Sequence, residues 1–182
     1  MNMKSVYSDL FSRYGNISFM GAVLRSMAIP CCKIIVSLRT VQSLKMKRML
    51  RPLYLFMRLR HRCLEYKYSI GLPEDVSIGQ GIFFPHGGPF VISGGARIGE
   101  KCTIHPNALI GSVRGKGDPT IGDNVFIGNG AKIIGNCTVG EWVFINPGAV
   151  ITKDVPSYSV VGSGYNNIIG RDGKRCVELY FH

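Results

Sequence analysis

The sequence predicts a mainly β protein, a β-solenoid preceded by a helical segment. Three observations carry that expectation: a six-residue hydrophobic stride over residues 72–156, glycine concentrated in the same part of the chain, and positive charge concentrated outside it. The stride runs Leu72, Ile78, Phe84, Phe90, slips by two to Ile92, and continues through Ile98, Ile104 and Ile110. After an interval of eleven it resumes at Ile121 and passes through Ile127, Ile133, Val139 and Ile145 to Ile151. The residue after the apolar one is often glycine, as at Gly79, Gly99, Gly111, Gly122, Gly128 and Gly140. The residue four positions on is small or β-branched, as at Val76, Ala96, Cys102, Ala108, Val125, Ala131, Cys137, Ala149 and Val155. Period six fits neither the 3.6 of a helix nor the 2 of a lone strand, and an antiparallel sandwich would place turns about every 8–12 residues. Stacked coils fit it: each hexad supplies a short strand and a corner, glycine allows the corner to be tight, and the large aliphatic side chain points to the axis.

The 182 residues are 46% hydrophobic and carry 22 Lys/Arg against 11 Asp/Glu, which excludes a disordered chain. Residues 1–67 hold 13 of the basic residues and only Asp9 and Glu65 as acids, whereas residues 68–182 are neutral overall and hold 21 of the 23 glycines. The chain therefore divides into a basic helical segment at 1–67, a β-helix at 68–161 and a capping tail at 162–182. Six cysteines with no CxxC pattern read as reduced, buried thiols. The most apolar stretch, Tyr14 to Leu38, is cut by Arg25, Pro30 and Lys33, so no membrane span is expected, and no secretory signal is read. A cytoplasmic protein, with contact at the inner face of the membrane left open, is the expectation.

In the N-terminal segment helices are predicted at Val6–Tyr14, over Phe19–Leu38 with a break near Pro30, and from Val41 to Tyr66 with an interruption at Pro52. Leu50, Leu53, Tyr54, Met57 and Leu59 recur at helical steps among Lys45, Lys47, Arg48, Arg51, Arg58, Arg60 and Arg62. Such a segment either caps the solenoid or lies on an anionic surface, and the two are compatible. Membrane ranks above nucleic acid, because no nucleic-acid fold signature accompanies the charge. Trp142 and Phe144 are core fillers or contacts between subunits.

IGQGIFFPHGG at 78–88, the slip before ISGGARIGE, TIGDNVFIGNGAKIIGN at 120–136 and INPGAVITKDVP at 145–156 together resemble the left-handed parallel β-helix of the hexapeptide acyltransferases. The resemblance is greatest to the serine acetyltransferase group, with a layout similar to the short enzymes of that type in polysaccharide gene clusters. It implies direct acetyl transfer from acetyl-CoA to a hydroxyl, without metal, in a homotrimer whose active sites lie between subunits. It also implies that His86 is the general base, with Gly111 offering a backbone N–H to the thioester oxygen. His105, predicted to stand one coil above Pro85 and beside His86, is a candidate to bind the acceptor, to tune His86 or simply to line the cleft.

Two departures from the serine acetyltransferase pattern bear on the acceptor. The orienting acid fifteen residues before the histidine is Gly71 here, leaving Glu74 or Asp75 as candidate substitutes. A histidine that helps hold the amino-acid acceptor is Asp118 here. These departures favour a sugar hydroxyl in surface polysaccharide assembly over L-serine, with serine O-acetylation and a non-catalytic binding solenoid as the alternatives. For acetyl-CoA the resemblance offers Asn129, Gly130, Ala131, Asn146, Pro147 and Gly148 along the pantetheine arm, Lys153 at the phosphates, and Tyr165 near the adenine. The loop Gly111–Pro119 carries Arg114 and Lys116 among glycines, as a lid or a surface excursion, without the spacing of a P-loop.

Overall fold

The computed structural model describes residues 9, 29–45, 47–113 and 117–180. Arg114, Lys116 and, apart from Asp9, the helices expected before residue 29 lie outside the described residues. The described chain is a left-handed parallel β-helix with helices at its start and end.

Helix α1 (Pro30–Lys45) is followed by a 3₁₀ turn (Arg48–Leu50) and helix α2 (Arg51–Tyr68). The prolines start these helices rather than break them. Pro30 opens α1 and Pro52 sits in the first turn of α2, where a missing N–H costs nothing. The interruption expected at Pro52 falls just before it, in the 3₁₀ turn. Helix α2 ends where Ser69 turns left-handed at φ 54° and its N–H caps the carbonyls of Glu65 and Tyr66.

Fifteen short strands follow. One face of the prism stacks β1 (Ile70–Gly71), β3 (Phe90–Ile92), β6 (Leu109–Gly111), β9 (Lys132–Ile134), β12 (Ala149–Ile151) and β14 (Gly164–Tyr165). A second stacks β2 (Ser77–Ile78), β4 (Arg97–Ile98), β7 (Thr120–Ile121) and β10 (Thr138–Val139). The third stacks β5 (Thr103–Ile104), β8 (Phe126–Ile127), β11 (Phe144–Ile145), β13 (Val160–Val161) and β15 (Ile168–Gly170). All pairs are parallel except β13 with β15. The aliphatic residues of the stride fill the axis, with Ile104, Ile110, Ile127, Ile133, Ile145 and Ile151 fully buried. Every small or β-branched residue singled out in the sequence is buried as well.

The glycines that follow the stride do not serve as left-handed corners. The positive φ values fall elsewhere, at Lys101, Asn107, Asn124, Trp142, Gly130 and Gly148 among others. Except at Gly111, what requires glycine is the approach of one coil to the next: a Cβ at Gly79 would stand 2.6 Å from the carbonyl carbon of Gly99, and one at Gly140 2.4 Å from the nitrogen of Ser157.

The two-residue slip has a definite place. Phe83 pairs with Thr103, an offset of 20, while Val91 pairs with Leu109, an offset of 18. The extra residues therefore lie between Phe84 and Val91, earlier than the hydrophobic stride alone puts them, in the segment that carries His86.

Helix α1 closes the first coil by laying Cys31, Ile34, Ile35 and Leu38 on the axial core, and α2 packs on α1 and β1. Asp9 fastens this cap. Its carboxylate accepts the N–H groups of Gly81 (2.8 Å) and Ile82 (3.1 Å) and pairs with Arg39, which also donates to the carbonyls of Ile78 and Gly79. At the other end α3 (Gly173–Tyr180) lies against β11, with Val177 buried. Lys174 sits over the Trp142 ring at 5.2 Å, and Phe144 stacks on Phe126 at 4.4 Å.

Candidate active site

The site grows from the corner between the third face and the first. In successive coils this corner is formed by residues 85–89, 105–107, 128–130 and 146–148. Hydrogen bonds join them into a seam: Asn107 N–H to Pro89 (2.6 Å), Gly130 N–H to Pro106 (3.0 Å) and Gly148 N–H to Asn129 (2.9 Å). The Ser163 hydroxyl continues the seam to Pro147 at 2.8 Å. The two surplus residues widen the lowest of these corners, so His86 leaves the stack and stands exposed between Pro85 and Gly87. Its carbonyl accepts the thiol of Cys31 from the cap helix at 3.4 Å, which fixes the backbone beneath the ring.

His105 stands one coil above, as expected from the stride, with its ring centroid 5.8 Å from that of His86. Burial, and secondarily the proximity of His86, hold its pKa below the usual histidine value. Its Nε2 lies 2.9 Å from the Tyr180 hydroxyl. With the phenol donating, Nε2 is the acceptor and Nδ1 carries the proton. Phe126 packs against both rings, 4.9 Å from His105 and 4.4 Å from Tyr180. Tyr180 is the residue that sequence reasoning missed. It sits in the tail, 75 positions from its partner, and no local pattern announces the contact.

The acids proposed in place of Gly71 are occupied elsewhere. Glu74 accepts the Tyr54 hydroxyl at 2.9 Å and pairs with Arg58 at 3.3 Å, and Asp75 pairs with Lys45. Both serve the joint between helices and first coil. Gly71 lies under Val91 beside an open recess of about 310 Å³ lined by Arg62, Glu65, Tyr66, Ser69 and Ile70. The carboxylate in that recess, Glu65, is held by the Leu72 N–H at 2.8 Å and by Arg62 at 3.4 Å.

The acetyl-CoA candidates divide between two edges. Asn129, Gly130, Asn146, Pro147 and Gly148 share the seam with the histidines, and a Cβ at Gly130 or Gly148 would meet open space. The Asn146 amide is spent on the Val161 carbonyl (2.9 Å). Ala131 is fully buried, its N–H bonded to Gly128 and its carbonyl to Leu109, so it presents no group to a ligand. Gly111, Asp118, Lys153 and Tyr165 lie toward the opposite end of the first face. There Asp118 accepts the Ser93 hydroxyl, and Tyr165 shares a 2.8 Å hydrogen bond with Thr152. Among the described residues no group of three His, Cys, Asp or Glu side chains could hold a metal ion.

A model of the bacterial transferase hexapeptide (six repeats) matches residues 118–153. The serine acetyltransferase of Staphylococcus xylosus is 36% identical over 132 residues, 71% of this chain and 61% of that protein. The chain carries hexapeptide repeats and is similar to serine acetyltransferases. Among solved structures, serine acetyltransferase 1 of Entamoeba histolytica in complex with L-cysteine superposes with TM-score 0.72 at 30% identity, covering 87% of this chain and 62% of that one. Soybean serine acetyltransferase complexed with serine gives TM-score 0.75 at 25% identity, covering 91% and 68%. The chain spans 54% to 62% of the length of these curated relatives.

These likenesses correct the expectation drawn from Gly71 and Asp118. The relatives at 34–36% identity are serine acetyltransferases, which overturns the sugar-hydroxyl acceptor and the role in polysaccharide assembly in favour of the alternative. Two changed motif positions count for less than a similarity that spans 71% of the chain. Among the described residues no helix is long and apolar enough to cross a membrane.

Proposed function

We propose that the chain catalyses acetyl transfer from acetyl-CoA to the hydroxyl of L-serine, with His86 as general base. The observation that carries the reading is His86 itself, lifted out of the coil by the surplus residues at the head of a seam of open glycine corners, in a chain whose relatives are serine acetyltransferases. In the step, the imidazole of His86 takes the hydroxyl proton as the serine oxygen attacks the thioester carbonyl. The tetrahedral intermediate collapses with cleavage of the C–S bond. The departing thiolate takes the proton back from His86, giving O-acetylserine and CoA. An N–H donor for the oxyanion is assigned to Gly111.

His86 and Gly111 stand at opposite ends of one face within a chain, so this assignment calls for adjacent copies to complete each other's site, in a homotrimer. His105, kept neutral by burial and by His86, then lines the acceptor side, with Tyr180 holding its tautomer. Glu74 and Asp75 of the first coil are paired with the helices, the Cys31 thiol holds the backbone of His86, and its ring faces that of His105.

The test is CoA thiol release with L-serine by the wild type and by His86→Ala. The expected result is turnover by the wild type and a loss of about 10²–10⁴-fold in the variant with acetyl-CoA binding retained. Undiminished turnover in His86→Ala would remove the base assignment, and failure of serine to accept while acetyl-CoA still binds would remove the acceptor.

A further inference from the structure

We propose that the outward side of α2 is a docking surface for an anionic lipid bilayer. The helix packs on the first coil by one side and leaves a wide apolar side turned out. Its only acid, Glu65, and its histidine, His61, are buried against the first coil at 8% and 2% exposure. Leu64 and Tyr68 pack inward on the core, but four large apolar residues are turned out, Leu55 at 55%, Phe56 at 64%, Leu59 at 67% and Tyr66 at 83%, and exposed Cys63 lies among them. At 3.6 residues per turn these five positions form one continuous stripe along the side away from Tyr54, Met57, His61, Leu64 and Tyr68.

Both borders of the stripe are cationic. Arg60 and Lys67 fall along one border, and Arg51, Arg58 and Arg62 along the other; all five are exposed. Long cationic side chains beside an apolar stripe can bury their methylenes against acyl chains while the charged heads reach the headgroups. Met49, 96% exposed in the turn before the helix, extends the apolar surface.

The charge pattern selects the occupant. A second copy laid on the stripe would bring Arg51, Arg60 and Lys67 against their own counterparts with no exposed acid on either helix to answer them, Arg58 and Arg62 being paired already with Glu74 and Glu65. A nucleic acid would satisfy the cations but leave the apolar stripe without a partner. An anionic bilayer answers both. The inference is independent of which hydroxyl the active site acetylates.

The full chain is tested by co-sedimentation with vesicles of phosphatidylcholine alone and of phosphatidylcholine with about 30% phosphatidylglycerol. Binding is expected to the second kind, with strong weakening in high salt. Phe56→Ser and Leu59→Ser, both at exposed positions, are each expected to weaken it about tenfold or more. Arg60→Gln is expected to weaken it about fivefold. All three should keep the wild-type rate of CoA release without vesicles, which separates loss of docking from loss of fold. Absence of binding to the anionic vesicles would overturn the proposal, as would binding indifferent to the three substitutions. So would sedimentation velocity in which Phe56→Ser lowers the oligomeric state, which would make the stripe a contact between copies.

Discussion

Gly79→Ala tests whether coil spacing, rather than corner conformation, is what the recurring glycines supply. Gly79 lies outside the left-handed region, so backbone conformation alone does not exclude alanine. The added Cβ would stand 2.6 Å from both the carbon and the oxygen of the Gly99 carbonyl and 2.7 Å from the Glu100 nitrogen, where ordinary contact begins at 3.4 Å. Relief needs a displacement of about 0.8 Å, and every obstructing atom is backbone held by the ladder, including the 2.8 Å hydrogen bond from Gly79 N–H to Ile98. Overpacking of this kind costs about 1–3 kcal/mol. At this chain length that lowers the melting temperature by about 2–4 °C per kcal/mol. Gly94→Ala is the control: its Cβ would meet Pro73 at 3.6 Å, an ordinary contact, so reduced chain entropy should leave it neutral or stabilise it by about 0.4–1 kcal/mol. Thermal melts followed by circular dichroism compare the pair. If Gly79→Ala melted at or above the wild type, the coils could spread and the close-approach argument would be wrong.

Arg39→Met should destabilise the chain by about 3–5 kcal/mol in urea titrations, since it leaves the buried Asp9 carboxylate without its ion pair; a loss below 1 kcal/mol would mean that the two backbone N–H groups suffice. His105 makes stability pH-dependent. Its folded pKa is depressed, so the unfolded chain binds more protons as pH falls below about 6.5, and the penalty grows until the folded pKa is passed. The wild type should therefore lose more melting temperature than His105→Gln between pH 7.5 and 5.5, and equal losses would contradict the assigned shift. Tyr180→Phe removes the hydroxyl that faces Nε2 and should raise the His105 pKa, read by NMR titration of its ring protons; a lowered value would mean that the phenol stabilises the charged ring.

The solenoid was legible because a period of six repeated over so many coils has one physical solution, and the same count put His105 beside His86 before any coordinates. What stayed hidden depends on contacts that sequence spacing does not encode. The Tyr180 hydroxyl reaches His105 from the far end of the chain. Glu74 and Asp75 sit near Gly71 in sequence but are captured by Tyr54, Arg58 and Lys45 of the helices. The helical periodicity of α2 was visible, yet the inward face could not be read from it. Buried Glu65 and His61 are fixed there by the backbone of Leu72, whose N–H and carbonyl they bind at 2.8 and 2.9 Å. At Gly71 and Asp118 the residue types were plain, and the inference from them to a different acceptor failed.

The two surplus residues carry His86, the proposed base, outside the stacked corners of the framework. The coil above that corner keeps the regular offset of 18 between Val91 and Leu109, while Phe84 and Phe90 stack across the corner at 4.6 Å within the axial core. The offset of 20 between Phe83 and Thr103, against 18 between Val91 and Leu109, is a count by which a sequence shows whether it carries such a widened corner.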